Sequence, residues 1–205
     1  MGDKKVIGLY GEMRLAMELH ERGWQVFRAY IDETFDFVIM KSYCNDCNEF
    51  TKAWKRCRTV TNLCEKCHQD TLRMLIRFIQ VKTSEGTENA SNPEFRKYSF
   101  HPKIRYHLAD GRVFYAWIQV FNHQNEGEKL ANFFIFNTRE VAIFDNIALD
   151  TYQRTDNQKT ELKISDSGEL SYRGKYDYSV FQKALNNFEI LDELQEDEKK
   201  WKKLI

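Results

Sequence analysis

Five cysteines stand at 44, 47, 57, 64 and 67, and the rest of the 205-residue chain has none. Four of them form two pairs, Cys44-x-x-Cys47 and Cys64-x-x-Cys67, with 16 residues between the pairs. Each pair can present two thiolates along one edge of a tetrahedron, and two pairs close it. Zinc is the expected ion for such a donor set, and iron fits the same four sulfurs. Four thiolates leave no open coordination position, so the role expected is structural. The segment is poor in apolar residues, chiefly Phe50, Trp54, Val60 and Leu63. Burial alone cannot hold it together, and metal binding would supply its folding energy. Cys57 is left over among Lys55, Arg56 and Arg58, whose charges favour its thiolate. Cys57 and His68, beside Cys67, are the alternative ligands. A disulfide framework would instead spread its cysteines along a secreted chain.

A second set of residues is ionisable where the pattern calls for apolar side chains. Asp36 interrupts the run Phe35 to Met40 and shares a strand face with Val38 and Met40. Gln80 and Lys82, two apart, share a face near the end of a long strand. Glu12 precedes Ala16 and Leu19 by four and seven, which sets it on the expected packing side of a first helix running through Leu9, Glu12, Met13, Ala16, Leu19 and His20. A buried acid or lysine is costly unless paired or metal-bound. Three such groups aimed at one sheet point to chemistry. The plainer alternatives are an Asp36 paired with a lysine in an inert sheet, a Lys82 that carries its ammonium out to water at a strand end, and an exposed Glu12.

With these elements in this order, the chain resembles the PD-(D/E)xK nuclease superfamily, the restriction-endonuclease-like fold. The matching residues are Gly11-Glu12-x-x-x-Ala16, Phe35-Asp36-Phe37-Val38-Ile39 and Ile79-Gln80-Val81-Lys82-Thr83. The last is the branch that reads Gln-x-Lys followed by Thr or Ser. The resemblance covers residues 8–40 and 74–84 closely, and the strands to about 137 loosely. It implies an α/β core with a mixed central β-sheet flanked by helices, and a divalent-metal-dependent endodeoxyribonuclease. It also implies that Asp36, the Val81 carbonyl, Gln80 and, directly or through water, Glu12 hold Mg²⁺ or Mn²⁺. Lys82 would orient the attacking water and stabilise charge developing on the phosphate, with Thr83 in support. Gln80 stands where the family usually has a second acid. It removes one negative charge and weakens the metal, although related branches with this glutamine include active nucleases. Forty-three residues separate Asp36 from Gln80. Without the cysteine segment the two strands would meet in a short turn, so residues 42–70 are expected as a knuckle inserted at the tip of the hairpin that carries the site. The core is expected over 1–150, with 151–205 as an extension that completes it or packs on it.

The elements that must position these residues follow from periodicity. A helix is expected over 9–22, ended by Gly23. Strands are expected over 24–30, 35–40, 74–82, 96–100, 113–121 and 130–136. Residues 83–94 read as a polar loop, and 102–108 as a helical turn. A hairpin or irregular segment around 151–175 turns at Asp166-Ser167-Gly168. A second helix is expected over 178–191, with Phe181, Leu185, Phe188 and Leu191 on one face, followed by a charged tail over 192–203 that frays. Helix, strand, strand, insertion and strand together predict an α/β domain.

Lys+Arg and Asp+Glu both number 31, a net charge of zero. Locally the balance is uneven: residues 41–82 hold nine Lys/Arg (41, 52, 55, 56, 58, 66, 73, 77, 82) and four Asp/Glu. Such a stretch can steer a polyanion, and the compensating acid lies elsewhere, as in the run 192–198. Duplex or branched DNA is the partner expected, with homodimerisation by family analogy. With 42% hydrophobic residues and only two prolines, the composition excludes disordered and collagen-like chains. The apolar runs are too short to cross a bilayer. The start, Met-Gly-Asp-Lys-Lys, lacks the apolar stretch of a signal peptide, and a cytoplasmic protein is expected. Two other functions remain open: a nuclease fold with its chemistry lost, serving as a nucleic-acid or protein-binding module, and a hydrolase of RNA or nucleotides.

Overall fold

A computed structural model describes residues 4–29, 35–56, 59–88, 95–100, 111–122, 129–140, 160–165, 170–171 and 179–199. The first helix, α1 (Lys4–Glu21), starts earlier than its periodicity predicts. It ends where Gly23 takes φ 83°, a left-handed conformation that glycine adopts without strain. The Gly23 N–H donates to the His20 carbonyl and the Trp24 N–H to that of Leu19, which turns the chain back toward the sheet. The buried face of α1 is Ile7, Gly11, Leu15 and Leu19. Of the expected packing line through Leu9, Glu12, Met13, Ala16, Leu19 and His20, Leu19 is buried, whereas Leu9, Met13 and His20 are exposed, which corrects the line. The helix is apolar on two sides, so periodicity alone cannot choose between them. Gly11 decides it, because its missing side chain lets the helix close against Thr83, where a Cβ would collide.

The strands are β1 (Gln25–Arg28), β2 (Phe37–Cys44), β3 (Glu49–Phe50), β4 (Ala53–Arg56), β5 (Thr59–Cys64), β6 (Leu72–Glu85), β7 (Thr87–Glu88), β8 (Phe95–Phe100), β9 (Val113–Asn122), β10 (Lys129–Asn137), β11 (Thr160–Ser165) and β12 (Leu170–Ser171). The central sheet runs β1-β2-β6-β9-β10, with β3 paired to β2. Its neighbours are antiparallel except β6 and β9, which are parallel, so the sheet is mixed as expected. A second sheet runs β12-β11-β8-β7, and β4 and β5 form a separate ribbon. β6 continues beyond Lys82 because Thr83, Ser84 and Glu85 stay in register with Ile118, Gln119 and Val120 of β9. The polar loop expected from residue 83 therefore begins later. Two apolar layers cover the central sheet. On the α1 side Leu15, Leu19, Ile39, Ile79 and Ile118 meet Phe188 and Leu191. On the other side Tyr115, Trp117, Phe134 and Phe136 meet Val180 and Phe181.

The single helix expected over 178–191 is broken into α2 (Ser179–Ala184) and a 3₁₀ turn over Phe188–Leu191. Between them Asn186 takes φ 52°. Its Oδ1 accepts the Phe133 N–H at 3.1 Å, and its own N–H donates to the Phe133 carbonyl. The break is needed because Phe181 and Phe188 belong to opposite layers, so the chain must wrap the β10 edge of the sheet.

The charged stretch after it does not fray within its described part. Asp192 pairs with Lys41 at 2.9 Å. Glu198, in the short helix α3 (Glu196–Lys199), is buried against Arg77. Cys57, Arg58, the turn expected at 102–108 and the turn at 166–168 lie outside the described residues. Among the described residues no helix is long and apolar enough to cross a membrane.

Candidate active site and metal centre

β2 and β6 form the antiparallel pair expected of a hairpin, from Phe37↔Ile79 to Cys44↔Leu72. The cysteine segment is inserted between them. Its four sulfurs, of Cys44, Cys47, Cys64 and Cys67, all lie within 4.8 Å of one another. Cys44 and Cys67 are 3.6 Å apart, and Cys47 and Cys64 are 3.8 Å apart. A tetrahedron with Zn–S bonds of about 2.3 Å has edges of about 3.8 Å. The cluster is therefore suited to a structural ion held by four sulfurs. Each pair ends in a left-handed residue directly after its second cysteine, Asn48 at φ 55° and His68 at φ 58°. The two half-sites thus share one turn geometry. The Cys47 N–H donates to the Cys44 sulfur at 3.4 Å, and the Lys66 N–H to the Cys64 sulfur at 3.3 Å. The Asn48 side chain accepts the Tyr43 hydroxyl at 2.7 Å. The His68 ring packs edge-on to Trp54 at 5.1 Å, and His68 is not among the residues that converge.

The thiols do not behave alike. For Cys64 burial opposes ionisation, but backbone N–H groups of Cys67 and Lys66 outweigh it and bring the thiol down to about 6. Burial and then hydrogen bonds with the other three cysteines push Cys47 up. A cation among the four sulfurs would favour their thiolate forms.

At the other end of the same ladder, Asp36 is fixed by its backbone. Its N–H donates to the Ile79 carbonyl, and its carbonyl accepts the Ala29 N–H, both at 3.0 Å. Its carboxylate accepts the Val81 N–H at 2.5 Å. The β2–β6 register begins at Phe37↔Ile79, and Asp36, one residue before it, bonds to the same Ile79 carbonyl. Gln80 and Lys82 flank Val81 in β6 and share a face by alternation, and Lys82 is exposed. The structure thus sets the Asp36 carboxylate on Val81, between Gln80 and Lys82. Phe35 packs its ring on Phe78 at 5.0 Å beside them.

Glu12 lies on α1 next to Gly11, which abuts Thr83 of β6. The Glu12 carboxylate forms an ion pair with Arg28 at 2.9 Å. Among the described residues the cysteines are the one group of three or more Cys, His, Asp or Glu side chains whose ligand atoms converge enough to hold an ion.

The basic stretch is less free than its count implies. Lys41 pairs with Asp192, and Lys66 with Glu49 at 2.6 Å. Arg77 is fully buried, with two bonds to Glu198 at 2.6 and 2.8 Å and others to the carbonyls of Leu191 and Glu193. Alternation carried the signal for Arg77, since it shares a strand face with the buried Leu75 and Ile79. Tyr115, in the sheet core, is the β9 neighbour of Gln80; its hydroxyl is buried without a hydrogen-bond partner among the described residues, and burial pushes its pKa to about 12. In the same layer Gln119 is fully buried with both amide atoms unpartnered among the described residues.

Over the full length of both chains the structure is similar to that of a bacterial homing endonuclease, I-Ssp6803I, at 14% sequence identity and a TM-score of 0.42. No protein-family model matches the chain, and no curated protein matches it.

Proposed function

We propose that the chain is a divalent-metal-dependent endodeoxyribonuclease of the restriction-endonuclease-like class, with a zinc knuckle that assists DNA binding. The observation that carries this reading is the meeting of Asp36 with Gln80-Val81-Lys82, the carboxylate set on the Val81 N–H. Inert packing gives no reason for an acid to be set on the strand segment whose amide and exposed ammonium share a face. In this reading the Asp36 carboxylate, the Gln80 side-chain oxygen and the Val81 carbonyl hold Mg²⁺ or Mn²⁺, with Glu12 beside them. The bound ion supplies Lewis-acid stabilisation of a phosphoryl oxygen. Lys82 positions the attacking water and neutralises charge on the phosphate as the phosphodiester P–O bond breaks. The neutral amide of Gln80 makes the ion weaker than a two-acid site would. The exposed Lys52, Lys55 and Arg73 offer contacts for the DNA backbone.

The test is cleavage of plasmid, branched, single-stranded and RNA substrates with Mg²⁺ or Mn²⁺. Cleavage of DNA that disappears in both Asp36→Ala and Lys82→Ala, with unchanged circular dichroism, supports the reading. Binding without cleavage under any divalent ion would instead establish a binding module. The neutral Gln80 and the absence of a converging carboxylate cluster around Asp36 among the described residues favour that second reading.

A further inference from the structure

β4 and β5 form a ribbon that pairs with no other strand among the described residues. Its base is fixed to the knuckle at several points. β5 ends on Cys64, one of the four converging sulfurs, and Cys64 is also the partner of Ala53 in β4. The Glu65 N–H donates to the Lys52 carbonyl at 3.1 Å, and the Thr61 hydroxyl to the Trp54 carbonyl at 2.9 Å. The edge-on contact of Trp54 with His68 ties β4 to the second cysteine pair. From Phe50 to Cys64 the sequence holds Lys52, Lys55, Arg56 and Arg58 and no acid. Lys52 and Lys55 are exposed. Lys66, on the turn between the last two cysteines, is by contrast matched by Glu49. The ribbon is thus a two-stranded arm of one charge, oriented by the four-sulfur cluster at its base.

We propose that the β4–β5 ribbon enters the major groove of duplex DNA, with Lys55 directed at base edges and Lys52 at the backbone. This deepens the proposed function and rests on it. The major groove is about 12 Å wide and admits a two-stranded ribbon, whereas the minor groove is about half as wide. Phosphates line both walls of the groove, and a ribbon without acids meets attraction along its whole length. Lys52 stands at the base of the ribbon. Lys55 is three residues nearer the tip, opposite Val60. The outer lysine therefore reaches further into the groove, where guanine presents its O6 and N7 acceptors, and the inner one lies level with the phosphates. An acidic protein surface would match the charge alone, and the width of the ribbon would then serve no purpose. The hydrogen bonds at the base order the arm before DNA arrives, which lowers the entropy lost on binding.

The test is binding of the full chain, purified without chelator and without added Mg²⁺, to two duplexes of the same sequence and about 30 base pairs. In one the cytosines carry glucosylated 5-hydroxymethyl groups, which fill the major groove and leave the phosphates unchanged. The expected result is binding at least about tenfold weaker on the filled duplex and unaffected by netropsin, which occupies the minor groove. Lys55→Ala loses most of that difference, with circular dichroism unchanged. Lys52→Ala keeps the difference, weakens binding to both duplexes alike and lowers the salt slope by about one. Equal binding of the two duplexes by the wild type, displacement by netropsin, or a Lys55→Ala protein that discriminates as the wild type does would each overturn the ribbon and leave the nuclease reading standing. A chain that binds neither duplex and cleaves no DNA would overturn the nuclease reading and the ribbon with it.

Discussion

Gly11→Ala sets two effects against each other, and the structure decides the sign. In a helix interior, replacing glycine with alanine gains about 1 kcal/mol of propensity. Position 11, however, faces Thr83, and an added Cβ would come under 3.0 Å from its Oγ1, Cγ2 and Cβ. Rotating the Thr83 side chain moves the first two atoms but not its Cβ, which the strand fixes. Either α1 or β6 must shift. Overpacking of this kind costs roughly 1–3 kcal/mol, and a contact with a strand-fixed atom belongs at the upper end. The expected net result is a loss of about 2 kcal/mol, read by urea unfolding followed by far-ultraviolet circular dichroism. Thr83→Ala removes two of the three colliding atoms, so the double variant should recover about 1 kcal/mol relative to the sum of the single changes. A Gly11→Ala protein about 1 kcal/mol more stable than wild type, or no coupling to Thr83, would refute the close approach of α1 to β6.

Glu198→Gln leaves the buried Arg77 guanidinium without its counter-charge and should destabilise by about 3–5 kcal/mol, while the paired change Arg77→Met with Glu198→Leu costs much less; urea unfolding of both variants measures the difference. The purified protein should carry about one zinc ion per chain by elemental analysis, and Cys64→Ser should release it; zinc retained in that variant would count against the four-sulfur site. The Tyr115 hydroxyl is buried without a partner among the described residues, so Tyr115→Phe should be neutral or stabilising by about 1 kcal/mol. Burial raises this phenol from 10.0 to about 12. The unfolded chain therefore releases the proton first, and stability present below pH 10 falls as pH rises toward 12. Phenylalanine should remove that alkaline loss in thermal melts across this window.

The parts legible in the sequence were those in which one residue type admits few environments. Four cysteines in two pairs had one economical arrangement, and the sulfurs converge. The nearness of Asp36 to the Gln80–Lys82 segment is legible because β2 and β6 form one antiparallel hairpin around the insertion. The face of α1 was not legible, since the helix offers two apolar sides and the choice rests on a glycine's contact with a strand 72 residues away. The break near Asn186 was equally hidden. Residues 178–191 have helical periodicity, and only the edge of the sheet requires them to divide between two layers. Arg77 was counted as surface charge because its partner, Glu198, lies 121 residues later.

The cysteine knuckle and the Asp36 site share one ladder, and β2 spans it without a break from Phe37 to Cys44. Seven residue steps at about 3.4 Å make this at most about 24 Å. Two centres joined by continuous paired strands cannot swing independently, so the hairpin works as a ruler. For the proposed duplex substrate lying along it, that length corresponds to about seven base pairs at 3.4 Å each. The distance between the grip of the knuckle and the scissile phosphate would then be set by strand length rather than by a flexible linker.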